Sequence, residues 1–243
     1  SSDLIEEIAV VIHPGDLDVY KNLSISDQQI YFIEQDKPLG YGYAVLSGAS
    51  FIGNDYFLHL VGDHLYANRT AVPCAKHLVD TAKQYNCSVS AVIPTRENLI
   101  PNYGTVGGKR VHPTTDLYLI DKVIEKPTPT LAEQKLIVPG LRAGHYLCFF
   151  GMHVLSPTVM QILNHQVAHS QGNKIGLSEA LNELASKEQY LALEKNDWRF
   201  DTGTRYGLLK AQIALALTGN DRDRVMAELM EFFILTNMNT QGK

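Results

Sequence analysis

The spacing of hydrophobic positions changes along the chain, and the changes mark its elements. Ile8-Ala9-Val10-Val11-Ile12 is an unbroken apolar run of strand length. His13-Pro14-Gly15-Asp16 breaks it, and Asp16 is suited to cap a short helix. Ile30 to Ile33 reads as a second strand, and Tyr43 to Phe51 as a helix stopped by Gly53-Asn54-Asp55. Tyr56 to Val61 is a third strand, apolar enough to lie centrally in a sheet. Val72, Ala75, Val79 and Ala82 recur at helical spacing as a core-facing stripe, and Val89 to Ile93 is again a strand.

The middle of the chain changes character. Gly104 to Val111 and Leu117 to Ile124 read as strands joined by His112-Pro113-Thr114-Thr115-Asp116, which predicts a hairpin or a sheet extension. Ala143 to Met152 is a further strand, and Ser156-Pro157 opens a helix with Pro157 at its first position. Ser178 to Leu184 is amphipathic. The end is helical, with one stripe of Tyr206, Leu209, Ile213 and Leu217 and another of Val225, Leu229 and Phe232. Strands and helices that alternate in this way predict an α/β fold: a mixed, mainly parallel central sheet with helices on both faces. No repeat, low-complexity run or linker interrupts the chain, so residues 1–243 are expected to form a single domain.

Composition narrows the function classes. Hydrophobic residues make up 45% of 243 residues, ordinary for a globular chain, and the net charge is -5. An acidic balance opposes a general nucleic-acid or anionic-membrane binder but leaves room for a local basic pocket for a small phosphate ligand. There is no apolar run of membrane-spanning length and no signal-peptide pattern, and a cytoplasmic protein is expected. Cys74, Cys87 and Cys148 are widely spaced, which predicts buried thiols rather than a zinc site. The strand at Ile8 stands almost at the first residue, so these residues are expected to be part of a longer protein.

The candidate chemistry lies at strand ends. Asp63 follows the apolar strand and Gly62, where ligands of open α/β sheets sit and where a glycine lets them approach. Taken alone, it also reads as a carboxylate capping a turn. Gln35 and Gly40 fall in Glu34-Gln35-Asp36-Lys37-Pro38-Leu39-Gly40 at a helix entrance; the Gln35 amide suits the edge of a nucleobase. The bland alternative is an ordinary glycine-rich loop. Glu125-Lys126-Pro127 ends a strand, with Lys126 able to neutralise a phosphate and Glu125 able to accept from sugar hydroxyls. Neighbours on a regular strand point to opposite faces, so both can serve one ligand only if the strand is distorted near Pro127. Asp201 precedes Thr202-Gly203-Thr204 and is either a working carboxylate or a helix cap. The histidines show no ligand spacing, and His145 and His153 read as packing or surface residues.

In their order these motifs are similar to those of the sugar-1-phosphate nucleotidyltransferases, nearest to the bacterial uridylyl- and thymidylyltransferases acting on glucose-1-phosphate. The resemblance rests on Gln35 with Pro38-Leu39-Gly40, Val61-Gly62-Asp63, Tyr103-Gly104, Glu125-Lys126-Pro127 and Trp198 to Thr204, and it covers nearly the whole chain. It implies a three-layer Rossmann-like fold with a helical C-terminus. The implied reaction has a sugar-1-phosphate attack the α-phosphorus of a nucleoside triphosphate, with Mg²⁺ as cofactor. By position, Asp63 and Asp201 correspond to the metal ligands, and Lys126 to the partner of the sugar phosphate. Gln35 and Gly40 correspond to the base-reading positions. Gly62, Tyr103, Gly104, Glu125 and Gly151 correspond to substrate-binding positions, Glu125 among them as a sugar-hydroxyl ligand.

The resemblance has one departure. The family's opening strand and G-x-G-T-R loop, which holds the triphosphate, do not occur in this sequence, and Tyr20 to Ile30 is short for a crossover. UTP and glucose-1-phosphate are the expected substrates. A thymidylyl- or adenylyltransferase, or a non-catalytic subunit that binds nucleotide sugars, are the alternatives. The partners expected are small molecules, with no nucleic acid or membrane. The apolar C-terminal helices, with Met226, Phe232, Phe233 and Leu235, are expected to fill the domain's own core, ahead of a homo-oligomer contact.

Overall fold

The structure, a computed structural model, describes residues 5–21, 30–69 and 72–240, with side chains as far as 235. The first residues and most of the short crossover before Ile30 lie outside the described residues. The chain divides into two compact units: residues 1–60 with 75–195, and residues 61–74 with 196–243.

The larger unit is built on a six-stranded sheet in the order β3 (Phe57–Leu60), β8 (His145–Leu155), β5 (Ser88–Arg96), β9 (Tyr190–Glu194), β7 (Leu117–Ile124), β6 (Thr105–Arg110). β3, β5, β9 and β6 run one way. β8 and β7 run against them, so the two directions are mixed as expected, but the neighbours pair mainly antiparallel rather than mainly parallel: β5–β9 is the parallel pair in this sheet, because β8 and β7 are inserted between strands of the other direction. The predicted hairpin is present as β6–β7. β1 (Ile8–Ile12) and β2 (Ile30–Glu34), on either side of the short helix α1 (Leu17–Lys21), pair parallel in a sheet of their own.

Burial on both faces explains the unbroken apolar sequence of β8. Successive strand residues face opposite ways. Leu147 and Phe149 therefore join the core beneath α6 (Thr158–His169) and α7 (Leu177–Lys187), with Ile162, Leu163, Leu181 and Leu184. Tyr146 and Cys148 face the other way and pack with Ala132 and Leu136 around α5 (Pro129–Lys135). Each such side chain contributes about 1.5–3 kcal/mol by leaving water. The helix α4 (Cys74–Tyr85) buries Leu78, Val79 and Ala82, whereas Val72 precedes the helix and is exposed.

Other expectations need correction. The Tyr43–Phe51 helix is two helices, α2 (Tyr41–Leu46) and α3 (Ala49–Ile52), because the chain turns at Ser47-Gly48. β3 is an edge strand, not a central one, and its last residue Leu60 is exposed. Pro157 sits at the cap of α6, one residue before the helix.

The smaller unit pairs β4 (His64–Ala67) antiparallel with β10 (Trp198–Asp201) and adds α8 (Gly207–Thr218) and α9 (Arg222–Thr240). α8 packs on both strands through Gly207 and Ala211. The predicted stripes are not a core. Tyr206, Leu209, Met226, Phe232, Phe233 and Leu235 are all exposed. Phe232-Phe233-Ile234-Leu235 is apolar on every side of its helix turn, so no single face can be turned inward. No helix among the described residues is long and apolar enough to cross a membrane. The three cysteines are free and buried, and burial pushes the Cys87 thiol up to about 11.

Candidate functional site

In the smaller unit, the register of β4 and β10 sets His64 directly opposite Asp201. Opposed residues of an antiparallel pair share a face. Asp63 occupies the turn just before β4. Its carbonyl accepts from the Thr202 amide and the Thr202 hydroxyl, both at 2.8 Å, and this fixes the two strand ends together. The result brings Asp63, His64 and Asp201 into one group, with a ligand atom of each within 4.8 Å of the others.

The turn after Asp201 needs its glycines. The Gly203 amide donates to Asp201 Oδ1 at 2.9 Å. A Cβ on Gly203 would stand 3.2 Å from both Asp201 Oδ1 and Asp63 Oδ2. A Cβ on Gly207 would lie 1.8 Å from the Asp201 carbonyl, which no side chain tolerates. The Thr204 hydroxyl donates to that same carbonyl, at 2.8 Å. Gly62, by contrast, is open, with no atom within 4 Å of a Cβ built there. At the far end of the ribbon, the Arg69 amide donates to the buried Asp197 carboxylate at 2.9 Å, and the guanidinium lies over the Trp198 ring. The His64 pKa is lowered, first by burial and then by Arg199, against the opposing pull of Asp63 and Asp201.

In the larger unit, β7 delivers Glu125 to the wall of a cleft, and Lys126 follows it in the chain. Lys126 takes φ +46°, the left-handed region, which ends the strand. This is the distortion that the adjacent pair required. The Lys126 amide donates to the Tyr103 carbonyl at 3.1 Å, and its Nζ is 3.9 Å from Glu125 Oε1. The cleft, of about 270 Å³, is lined by Val123, Ile124, Glu125, Ser178, Glu179 and Asn182.

Two α7 residues that sequence reasoning missed hold this wall. The Ser178 hydroxyl donates to Glu125 Oε2 at 2.5 Å, and Asn182 Oδ1 accepts from the Val123 amide at 3.0 Å. Their one-turn separation was readable, since positions i and i+4 share a helix face, but nothing local said which strand that face meets. Gly104 lies against the same group. A Cβ there would be 2.8 Å from Phe149, 3.0 Å from Glu125 Oε2 and 3.1 Å from Ser178 Oγ. Gly151, at φ +85°, is buried within β8 next to the register shift against β5.

Gln35 and Gly40 lie elsewhere in the larger unit. The Gln35 side-chain amide donates to the Lys37 carbonyl at 2.9 Å, closing its own loop. Gly40 has φ +97°, and its Cβ would meet the Ile175 carbonyl at 2.5 Å. Leu39 and Gly42 pair with Ile175 through backbone hydrogen bonds of 2.8 and 3.1 Å, so the loop entering α2 is clamped against the segment that precedes α7.

Residues 2–217 match the nucleotidyl transferase family. The chain belongs to that family. It is 31% identical over 194 residues to a UTP–glucose-1-phosphate uridylyltransferase of Streptococcus pneumoniae, matching 79% of this chain and 60% of that protein. A uridylyltransferase of the same name from Streptococcus pyogenes is 30% identical over 209 residues, with 84% and 63% covered. The chain thus spans about three-fifths of the length of these relatives. The fold is similar to that of the UDP-glucose pyrophosphorylase of Acinetobacter baumannii. The TM-score is 0.74 at 19% identity, covering 94% of this chain and 83% of that one. The UTP-bound structure of that enzyme gives the same TM-score at 20% identity, covering 93% and 82%.

Proposed function

We propose that this chain, as a single nucleotidyltransferase domain, transfers a nucleotidyl group to a sugar-1-phosphate and releases pyrophosphate. UTP is the donor and glucose-1-phosphate the acceptor. The observation that carries the reading is the convergence of Asp63 and Asp201, residues far apart in sequence, on one face of a two-stranded ribbon. The relatives' names support UTP and glucose-1-phosphate as substrates.

The donor set fits a hard divalent cation: two carboxylates, one of them exposed, with Gly203 packed against both and Gly207 packed against the Asp201 carbonyl. Asp63 and Asp201 would hold Mg²⁺, whose charge would offset the negative charge of the phosphates. Lys126 adds a fixed positive charge for the sugar phosphate. Glu125, oriented by Ser178, accepts hydrogen bonds from the sugar hydroxyls, and Tyr103, Gly104 and Gly151 belong to the same subsite. Gln35, Gly40 and Gly62 serve the nucleotide. Free, buried thiols fit a reducing compartment such as the cytoplasm.

Pyrophosphate release with glucose-1-phosphate and Mg²⁺, measured with UTP, dTTP and ATP in turn, tests this. Turnover with UTP above the other two is expected. Preference for dTTP or ATP would reassign the base, keeping the reaction class. The second reading, a non-catalytic subunit that binds nucleotide sugars, is separated from the first by the same assay. Binding of UDP-glucose without turnover would select it.

A further inference from the structure

We propose that His165 and His169, at the C-terminal end of α6, form a two-imidazole chelate for a late first-row divalent cation such as Cu²⁺ or Zn²⁺. The inference goes beyond the nucleotidyl-transfer reading and does not depend on it. As a sequence, the histidines show no ligand spacing. With α6 in place these two acquire one, because residues four apart share a helix face.

Three observations carry it. Both side chains are exposed, and their ring centroids stand 4.2 Å apart. Metal–nitrogen bonds are about 2.0–2.1 Å, so two nitrogens on one ion stand about 3 Å apart, and rings this close reach that geometry by rotation alone. The His169 Nδ1 lies 2.8 Å from the His165 carbonyl. A carbonyl only accepts, so Nδ1 carries the proton and Nε2 holds the lone pair. A backbone carbonyl on the far ring nitrogen is how metal-binding histidines are commonly oriented. Finally, no hydrogen bond among the described residues engages the His169 Nε2 or either ring nitrogen of His165. A histidine in a last helical turn can serve simply to bond a terminal carbonyl. That role accounts for His169 but leaves none for the His165 ring beside it.

The chemistry of the pair selects its ion. Imidazole suits the late first-row metals, with Cu²⁺ bound more tightly than Zn²⁺, whereas Mg²⁺ keeps to oxygen ligands. Position gives occupancy a consequence. Beyond His169 the chain continues through hydrogen bonds from the Ser170 amide to the Val167 carbonyl and from the Asn173 amide to the Ser170 carbonyl, 3.2 and 3.0 Å. It then reaches Ile175, which clamps the loop entering α2. An ion on the pair would fix the start of that segment.

The test is Cu²⁺ and Zn²⁺ binding to the full chain at pH 7.5 in excess Mg²⁺, followed by calorimetry, with electron paramagnetic resonance of the Cu²⁺ form. An Asp63→Asn background keeps the carboxylate site out of the count. Expected is nitrogen coupling from two imidazoles, reduced to one in His165→Asn and in His169→Asn. Each variant should lose roughly 100-fold in affinity, the gain from a second ligand held at short range. Zn²⁺ should raise the thermal midpoint of the parent chain and not that of either variant. Both positions are exposed, so the substitutions should leave the fold intact, and His165→Gln and His169→Gln give a second pair of variants. Coupling from fewer than two imidazoles in the parent would overturn the proposal. So would an affinity unchanged in the variants, or no binding of either ion. Each of these results would leave the nucleotidyl-transfer reading standing.

Discussion

The two units build their chemistry in opposite ways. In the larger unit, Glu125 stands at the end of a strand whose sheet is buried on both faces, and a helix behind it supplies Ser178 and Asn182 as supports. In the smaller unit, Asp63, His64 and Asp201 sit on a ribbon of two four-residue strands. That ribbon is held by backbone hydrogen bonds across the turn, close glycine packing and one buried aspartate. One constellation is positioned by a core, the other by chain geometry. The lesson is that stability and chemistry should separate by unit. Substitutions that damage the ribbon's carboxylates should cost function and spare the fold, and substitutions in β8 should do the reverse.

The sharpest test of that contrast is Asp63→Asn. In an active form of the protein, pyrophosphate release should fall by on the order of a hundredfold or more, the scale for losing a main electrostatic contact to the reacting groups. The carboxylate is half-exposed and close to a second acid, so the thermal midpoint should stay level or rise slightly. Retained turnover would remove Asp63 from the metal role. A collapse of the fold would remove the contrast itself.

The reverse experiment is Leu147→Ala. Leu147 is fully buried in the α6–α7 core, and its truncation should cost about 2–5 kcal/mol in denaturant unfolding. Sugar-phosphate affinity of the molecules that remain folded should be unchanged. A cost below 1 kcal/mol would mean that β8 does not hold the larger unit as its burial indicates.

Two smaller effects sharpen the comparison within the proposed sugar subsite. Lys126→Ala should raise KM for glucose-1-phosphate roughly 10–100-fold, the equivalent of one charge-assisted contact of about 1.5–3 kcal/mol. Ser178→Ala should raise the same KM about tenfold or less, because a neutral hydroxyl supports the carboxylate without touching phosphate. Ser178→Thr keeps a hydroxyl and should recover most of that loss. Equal effects on the KM for UTP would show that these changes act on the fold as a whole.

The same contrast explains what was legible in the sequence. Strand runs such as Ile8–Ile12 and Leu117–Ile124 could be read because continuous apolar burial leaves a continuous apolar signal. Asp63 and Asp201 could be nominated by type and position, since strand ends beside glycine are where such carboxylates occur. Their meeting could not be derived, because the pairing of β4 with β10 joins segments more than a hundred residues apart. The edge position of β3 was misread because Tyr56-Phe57-Leu58 is as apolar as a central strand, and one apolar face already suffices at an edge. The exposed C-terminal helices were misread because helical spacing of apolar residues says nothing about what covers them.

The smallest effect concerns pH and is argued for two buried histidines of the larger unit. His153 is buried in β8. Its Nδ1 lies 2.6 Å from Ser90 Oγ, which lies 2.5 Å from the Tyr190 hydroxyl, and the rings of His59 and Phe149 flank it. Burial, and next the neighbouring His59, lower its pKa to about 3, and burial lowers that of His59 to about 4. The folded chain therefore keeps both rings neutral, while an unfolded chain protonates them near 6.5. Their stabilisation is complete above that value. As pH falls through it, only the unfolded state gains protons, so stability drops by roughly 1 kcal/mol per histidine for each pH unit until the folded pKa values are reached. Denaturant melts at pH 7.5 and 5.5 should show this. His153→Gln should be less stable at pH 7.5, through the altered Ser90 contact, yet lose roughly 1 kcal/mol less than wild type between the two conditions. Parallel profiles would mean that His153 carries its proton in both states, and the buried Ser90–Tyr190 pair would then have to accommodate a charge.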